Sequence, residues 1–304
     1  MAKYIYNPGN SLNSFAEGVE ELQKKGYNVV TSCPTGGDIL KAALKNGMEL
    51  VEYNIDASDY NKYVNEAGYV TKYPNYYPAN LKEKSFEHYI EKELLKLSDK
   101  DIFIDIASQH SPVAEIFSRQ SGAKCYSQDI MFPEGIQGDC IGGDACAMPL
   151  SSDFASKAAL SCSLEHFEED ADIRLFHELY RVLKPGGMVA VVPFYLSGEA
   201  YTLTDPTKSV PCDVVFDRDN LVFCREGWGN RHGRIYCPES FMERIGKPFR
   251  DKFIFKFYYL KNAGDVDPSI YARFAFTATV TKSENDSAGK EQINLCLSDD
   301  KDKS

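Results

Sequence analysis

The sequence has no C-x-x-C pair, no G-x-G-x-x-G loop and no apolar run near the ~20 residues a membrane helix needs. It is also short of positive charge: 34 lysines and arginines face 45 acidic residues, a net charge of −11. That balance speaks against nucleic acid as a partner, because a polyanion is repelled. Nine cysteines (Cys33, Cys125, Cys140, Cys146, Cys162, Cys212, Cys224, Cys237, Cys296) make an odd number without metal-ligand spacing. A disulfide framework is therefore not expected, and neither is a metal site. No repeat of fixed period stands out, and the opening MAKYIYNPGN carries no apolar h-region, so the expected location is cytoplasmic. With 304 residues, 43% of them hydrophobic, the chain can bury one large core with additions.

What is present is concentrated between Asp101 and Pro193. Short apolar runs there end on small or acidic residues and alternate with helical patterns, which predicts a doubly wound, mostly parallel α/β sheet with its ligand across the strand carboxyl ends. The first strand, Ile102 to Ile106, holds Asp105, and a helix is expected from about Pro112 with Ser111 able to cap it. A second strand ends near Gln128–Asp129, where an acid is placed to accept two ribose hydroxyls. Gly142-Gly143-Asp144 precedes Met148-Pro149, and a fourth strand, Ala158 to Ser163, leads to Glu165-His166. An amphipathic helix from Phe176 to Leu183 then meets Lys184-Pro185-Gly186-Gly187, read as its stop, before a strand from Met188 to Val192.

Asp105, Asp129, Gly143-Asp144-Ala145 with Met148-Pro149, LEHF and RVLKPGG, in that order, resemble a class I S-adenosylmethionine-dependent methyltransferase of the type 11 kind, over about Asp101 to Phe241. The resemblance implies a Rossmann-like sheet of seven strands, the last pair antiparallel, and S-adenosyl-L-methionine as cofactor. It implies cofactor contacts from Asp105, Ala107, Ser108, Gln109, Asp129, Ile130, Gly143, Asp144, Ala145 and Ser161. Such enzymes usually read acid-x-Gly-x-Gly-x-Gly after the first strand. This chain has Asp105, Ala107, Gln109 and Ser111 there, so Gln109 and Ser108 are expected to offer side-chain hydrogen bonds to the methionine end.

Around this core (98–282) the expected organisation is a small N-terminal α/β unit (1–55), an aromatic segment with a leading helix (56–97) and a disordered polar tail (283–304). The N-terminal unit reads strand, helix, strand, helix, strand, and its Pro34-Thr35-Gly36-Gly37-Asp38 is either a tight turn or a small anion cradle. The tyrosines at 60, 63, 69, 73, 76 and 77 suit either packing or a lid, with Tyr73 and Tyr76 the candidates for touching an acceptor. The helix Lys82 to Leu97 leads into the core. Residues 195–215 read as a loop-rich insertion.

Methyl transfer needs mainly alignment, plus a base if the acceptor is a hydroxyl or protonated amine. His166, Glu165 and His110 are the candidates for that role. Arg231, His232, Arg234 and Tyr236 form the densest cationic stretch, and two guanidinium forks there would clamp an anion. A similar H-x-R-x-Y stretch after the fifth strand is implied by the resemblance. The expected partner is thus a small, anionic acceptor such as a sugar or sugar-phosphate, with oligomeric state left open. Two alternatives stand beside it. One is a nucleotide-dependent oxidoreductase or epimerase, disfavoured by the missing G-x-G-x-x-G, and the other is a non-catalytic binding protein on the same fold.

Overall fold

The computed structural model describes residues 14–34 and 36–282. The strand expected near Tyr4 and the tail from Ser283 lie outside the described residues. Thirteen strands are present among the described residues: β1 (Asn28–Val30), β2 (Leu50–Tyr53), β3 (Ile102–Ile106), β4 (Lys124–Asp129), β5 (Gly135–Gln137), β6 (Cys140–Gly142), β7 (Ala155–Ser161), β8 (Leu183–Val192), β9 (Tyr201–Thr204), β10 (Leu221–Cys224), β11 (Gly233–Ile235), β12 (Phe253–Leu260) and β13 (Phe274–Val280). The longer helices are α1 (Phe15–Lys24), α2 (Ile39–Lys45), α3 (Ala57–Ala67), α4 (Leu81–Leu95), α5 (Val113–Ser121) and α6 (Ala171–Val182).

The main sheet runs β2-β12-β13-β8-β7-β3-β4-β6-β5. It is the doubly wound, Rossmann-like sheet expected of a class I methyltransferase, enlarged from the expected seven strands to nine. Its centre is parallel, while β13 is antiparallel to both β8 and β12, and β5 to β6. The extra strands sit at the edges, where β2 joins β12 in parallel and β5 closes a hairpin on β6. The order reverses at β3, which has β4 on one side and β7 on the other. A crevice opens at that point of such a sheet.

A second sheet, β1-β10-β9-β11, forms a cap. It was not legible in the sequence, where residues 195–215 read as loop. The stretch read as an N-terminal α/β unit makes no sheet of its own: β1 pairs with β10 in the cap, and β2 with β12 in the main sheet. Asp38 caps α2 by accepting from Lys41 N at 3.1 Å, and a side chain on Gly198 would collide with the Gly36 carbonyl.

Two local expectations change. The helix read as Phe176–Leu183 starts earlier and ends at Val182, with Leu183 already extended as its C-cap. Lys184-Pro-Gly-Gly is then no helix stop but an irregularity in β8, where Leu183 faces Ala155 and Met188 faces Lys157, with Gly186 at φ 71°. The tyrosines also divide. Tyr60, Tyr63 and Tyr69 are buried with Phe86, Tyr89 and Phe103 in the core between α3, α4 and the sheet.

α4 carries the least expected burial. Its sequence, LKEKSFEHYIEKELL, is polar on every side, yet Glu83, Lys84, Ser85, Glu87, His88 and Glu91 are all buried with Phe86, Tyr89 and Ile90. The helix lies against β8 and β7 on one side and α3 on the other. Polar helix positions are mostly exposed unless paired, so this helix marks a functional wall.

Candidate functional site

A cavity of about 490 Å³ opens over the carboxyl ends of β3, β4 and β7. Its first wall is the loop after β3. Asp105 ends that strand fully buried, and neither carboxylate oxygen has a hydrogen-bond partner; the Ser108 hydroxyl beside it is buried and unpartnered too. Burial pushes the Asp105 carboxyl up to about 8; the Ser111 hydroxyl opposes the rise and Asp129 adds to it.

Ala107 and Gln109 stand where the resembled family has glycine, and both adopt glycine's left-handed backbone, at φ 54° and 53°. Such a conformation costs an L-residue roughly 1–2 kcal/mol. The loop is held there by its neighbours. Ala107 N donates to Gln128 Oε1 at 3.2 Å, Ser108 N to the Gln128 carbonyl at 2.9 Å, and Gln109 N to Asp129 Oδ2 at 2.7 Å. Tyr77, itself left-handed at φ 42°, donates its hydroxyl to Gln109 Oε1 at 2.9 Å. Gln128 was missed in the sequence. Its amide ties this loop to the next, donating Nε2 to the Gly143 carbonyl at 2.7 Å.

Asp129 ends β4 with both oxygens held by backbone, Gln109 N on one and Met131 N on the other at 2.8 Å. Each oxygen keeps a lone pair toward the cavity. Ile130 and Met131 follow with exposed apolar side chains lining it, and Asp144 and Ala145 line it after β6. Asp144 Oδ1 accepts from Cys146 N at 2.9 Å. Gly143, at φ 123°, shapes the turn, and Gly142 is required, because a Cβ there would overlap the Pro133 carbonyl. Ser161 lines the cavity at the tip of β7, donating to Glu91 Oε1 at 2.7 Å. Nine of the ten expected cofactor residues thus line the cavity, and Gly143 supports it from behind.

The candidate bases separate. His166 lines the cavity, and its Nδ1 is 2.6 Å from the His232 carbonyl. Only an N–H can face a carbonyl, so the neutral ring carries its proton on Nδ1 and leaves Nε2 as the acceptor. Nε2 lies 3.6 Å from Glu165 Oε1, and Glu165 itself is buried behind the wall. His110 is exposed and does not line the cavity.

The expected arginine clamp is not there. Arg234 is buried outside the cavity: Nη1 lies 3.1 Å from Asp172 and donates to the Phe167 carbonyl, Nη2 donates to the Glu169 carbonyl, and Nε is 3.4 Å from Asp217. Tyr236 donates to the same Asp172 at 2.6 Å. Both tie the cap to α6. Arg231 does line the cavity, paired with Glu168 at 2.6 Å, and His232 lines it with Nδ1 on the Glu165 carbonyl. Burial holds His232 well below the usual histidine range, so it is neutral. Tyr76 and Tyr77 face the cavity, whereas Tyr73 turns away to accept from Arg119 at 3.2 Å. Further residues not singled out from the sequence complete the far wall: Asn80 and Lys84 from α4 and its approach, Cys162 after β7, Lys208 and Asn230 from the cap, and Tyr271. Tyr180 and Lys184 stand in the Tyr-x-x-x-Lys spacing of some oxidoreductases, but neither lines the cavity.

Acidic residues at the tips of two successive strands, around a cavity at the point of sheet reversal, define a nucleotide-type cofactor site. The family model described as a methyltransferase domain matches residues 104–191, the stretch that carries β3 to β8 and the strand-tip side of the cavity. No curated protein sequence matches the chain. Among solved structures, it is similar to the 1,6-didemethyltoxoflavin N1-methyltransferase of Burkholderia thailandensis, solved with 1,6-didemethyltoxoflavin and S-adenosylhomocysteine, at 12% identity and TM-score 0.47 over 75% of this chain and 92% of that one. It is also similar to a geranyl diphosphate C-methyltransferase from Streptomyces coelicolor (9% identity, TM-score 0.41, 65% and 79% covered) and to a putative methyltransferase from Methanococcus maripaludis (12%, 0.40, 78% and 99%). At these identities the likenesses say nothing about the acceptor. Among the described residues no group of His, Cys, Asp and Glu is placed to hold a metal, and no helix is long and apolar enough to cross a membrane.

Proposed function

We propose that the protein transfers the methyl group of S-adenosylmethionine to a hydroxyl or amine of a small anionic acceptor. The observation that carries this reading is the set of unpartnered groups at the β3 tip. Asp105 and Ser108 line the cavity and their side-chain oxygens are buried without a hydrogen bond in the geometry, Ser111 being the hydroxyl nearest to Asp105, which fits a ligand end bearing both an ammonium and a carboxylate. Asp129 would hold the ribose hydroxyls and Asp144 the adenine amine, with Ile130, Met131 and Ala145 as apolar surface for the ring.

The cofactor supplies an activated methyl on a positively charged sulfur. The chain's own residues align the acceptor, exclude water and take the proton. With the methyl group taken up by the acceptor's oxygen or nitrogen and the sulfur's electron pair left on the departing cofactor, the acceptor proton would pass to His166 Nε2. The His232 carbonyl keeps Nδ1 protonated and so keeps Nε2 free for that task. The test is calorimetric titration of S-adenosylhomocysteine into wild-type protein and an Asp129→Asn variant, alongside a demethylated-cofactor release assay. The variant should bind roughly 30–150-fold more weakly, the loss of about 2–3 kcal/mol of charge-assisted hydrogen bonding. No binding to the wild type would remove the reading.

A further inference from the structure

Opposite the strand tips the cavity is walled by α4, and that wall contains a cation no mechanism above uses. Lys84 is only 8% exposed, yet it lines the cavity. Glu87 holds the ammonium from behind, its two oxygens 3.0 and 3.2 Å from Nζ. The Tyr77 ring lies beneath Nζ at 5.5 Å, and the Cys162 thiol and Tyr76 hydroxyl stand beside it. A buried lysine braced on one side and open to a cavity on the other is a built anchor, not a solvated surface charge.

We propose that Lys84 is the anchor for the anionic oxygen of the acceptor, and that the acceptor is a flat, ring-bearing acid. This rests on the methyl-transfer reading and narrows its substrate class. Three observations carry it. First, the arginine site that would have served an anion is spent: Arg234 is buried in ion pairs with Asp172 and Asp217, and Arg231 is bound to Glu168. Second, the mouth beside Lys84 is aromatic. Tyr77 and Tyr271 keep 45% and 46% of their surface exposed there, and Asn80 fixes Tyr271 by donating Nδ2 to its hydroxyl at 3.2 Å. Two half-exposed tyrosine rings lining one cavity offer apolar faces that favour a flat partner. Third, Lys84 stays charged: burial works to lower its value, but the Glu87 carboxylate 3.0 Å away, with Cys162 and Tyr76 beside it, outweighs burial.

The experiment uses three isosteric ring probes, benzoate, benzamide and benzamidine, titrated into the full chain with and without saturating S-adenosylhomocysteine. Cyclohexanecarboxylate serves as the non-planar control. Benzoate should bind at least tenfold more tightly than benzamide, benzamidine weakest, and cyclohexanecarboxylate several-fold more weakly than benzoate. Lys84→Met should erase the preference for the anion while leaving S-adenosylhomocysteine affinity within twofold; Lys84→Arg should keep part of it. Because Lys84→Met strands Glu87, the double variant Lys84→Met with Glu87→Gln, which leaves no buried charge, is measured as well. Equal binding of benzoate and benzamide, a preference that survives the double variant, or binding of no probe overturns the anchor. Equal binding of the planar and non-planar acids overturns the flat-ring class. If S-adenosylhomocysteine fails to bind while the Lys84-dependent preference persists, the cofactor reading falls and the anchor stands.

Discussion

The two walls of the cavity are built on opposite plans. One consists of strand tips: Asp105, Asp129 and Asp144 each stand at or just after the end of a short strand, and Asp129 is held by Met131 two residues on and by Gln109 from the neighbouring strand-end loop. The other is assembled from distant pieces, with Lys84 on α4, Cys162 after β7, Lys208 and Arg231 on the cap and Tyr271 near the end of the main sheet. The first wall is set by local pattern, whereas the second exists only once the chain has folded. In a methyltransferase domain this division matches a common cofactor and a variable acceptor.

The sharpest way to break the contrast concerns the cap arginines. Arg234→Ala removes one partner of a buried ion-pair cluster around Asp172 and should lower unfolding stability by about 3–5 kcal/mol in urea titrations. Arg231→Ala, in a partly exposed pair, should cost less than half of that. Equal destabilisation by the two would mean that both belong to the scaffold.

A smaller effect sharpens the strand-tip wall. Asp105 has its carboxyl raised to about 8 in the free protein, so it carries a proton at neutral pH. An incoming ammonium favours the ionised form, so binding should release a proton, and S-adenosylhomocysteine affinity should climb as pH rises toward 8 and then level off. The limit is about tenfold per pH unit, and Asp105→Asn should flatten the profile. For the free protein the sign is the reverse. A carboxyl raised on folding stabilises below its unfolded value and loses that contribution as pH rises through 8, so the melting temperature should fall from pH 6 to 9. Calorimetry in buffers of different ionisation enthalpy reads the proton directly; no proton release would detach Asp105 from the ammonium.

The smallest effect tests the left-handed residues. Ala107→Gly relieves about 1 kcal/mol of backbone strain and gives back part of it through the unfolded chain, so a net gain near 0.5 kcal/mol is expected, with cofactor affinity unchanged. A destabilised Ala107→Gly variant would show that the methyl group packs more than the backbone strains.

The strand-tip wall was legible because a parallel strand states both its burial and its end in a few residues: Ile102 to Ile106 is apolar except for the acid at the tip. Even there the glycine-like backbone at Ala107 and Gln109 was hidden, since residue type argued against it and the bonds from Gln128, Asp129 and Tyr77 overrule it. α4 was legible as a helix but not as a wall. Lys84, Glu87 and His88 carry no sequence signal of burial, and they are buried because α3 and its tyrosines cover what the sheet does not. Arg234 misled for the opposite reason. A dense cationic stretch looks like a free clamp until its counter-charges, Asp172 on α6 and Asp217, arrive from far along the chain. The cap sheet could not be read as a sheet: the strand at β1 was legible but was assigned to an N-terminal unit, and its partners β9, β10 and β11 are only three or four residues long and carry no periodicity.

The pairing of β1 with β10 and of β2 with β12 also sets an order of events. Asn28 waits for Leu221, and Leu50 for Phe257, each about two hundred residues downstream. Loop closure over such spans is entropically expensive and slow compared with the neighbouring-strand pairings at the centre of the main sheet. Residues 28–53 therefore behave as a late strap. β3, β4 and β7 can assemble the cofactor crevice first, and the early chain is then drawn across, fastening cap and sheet in one movement.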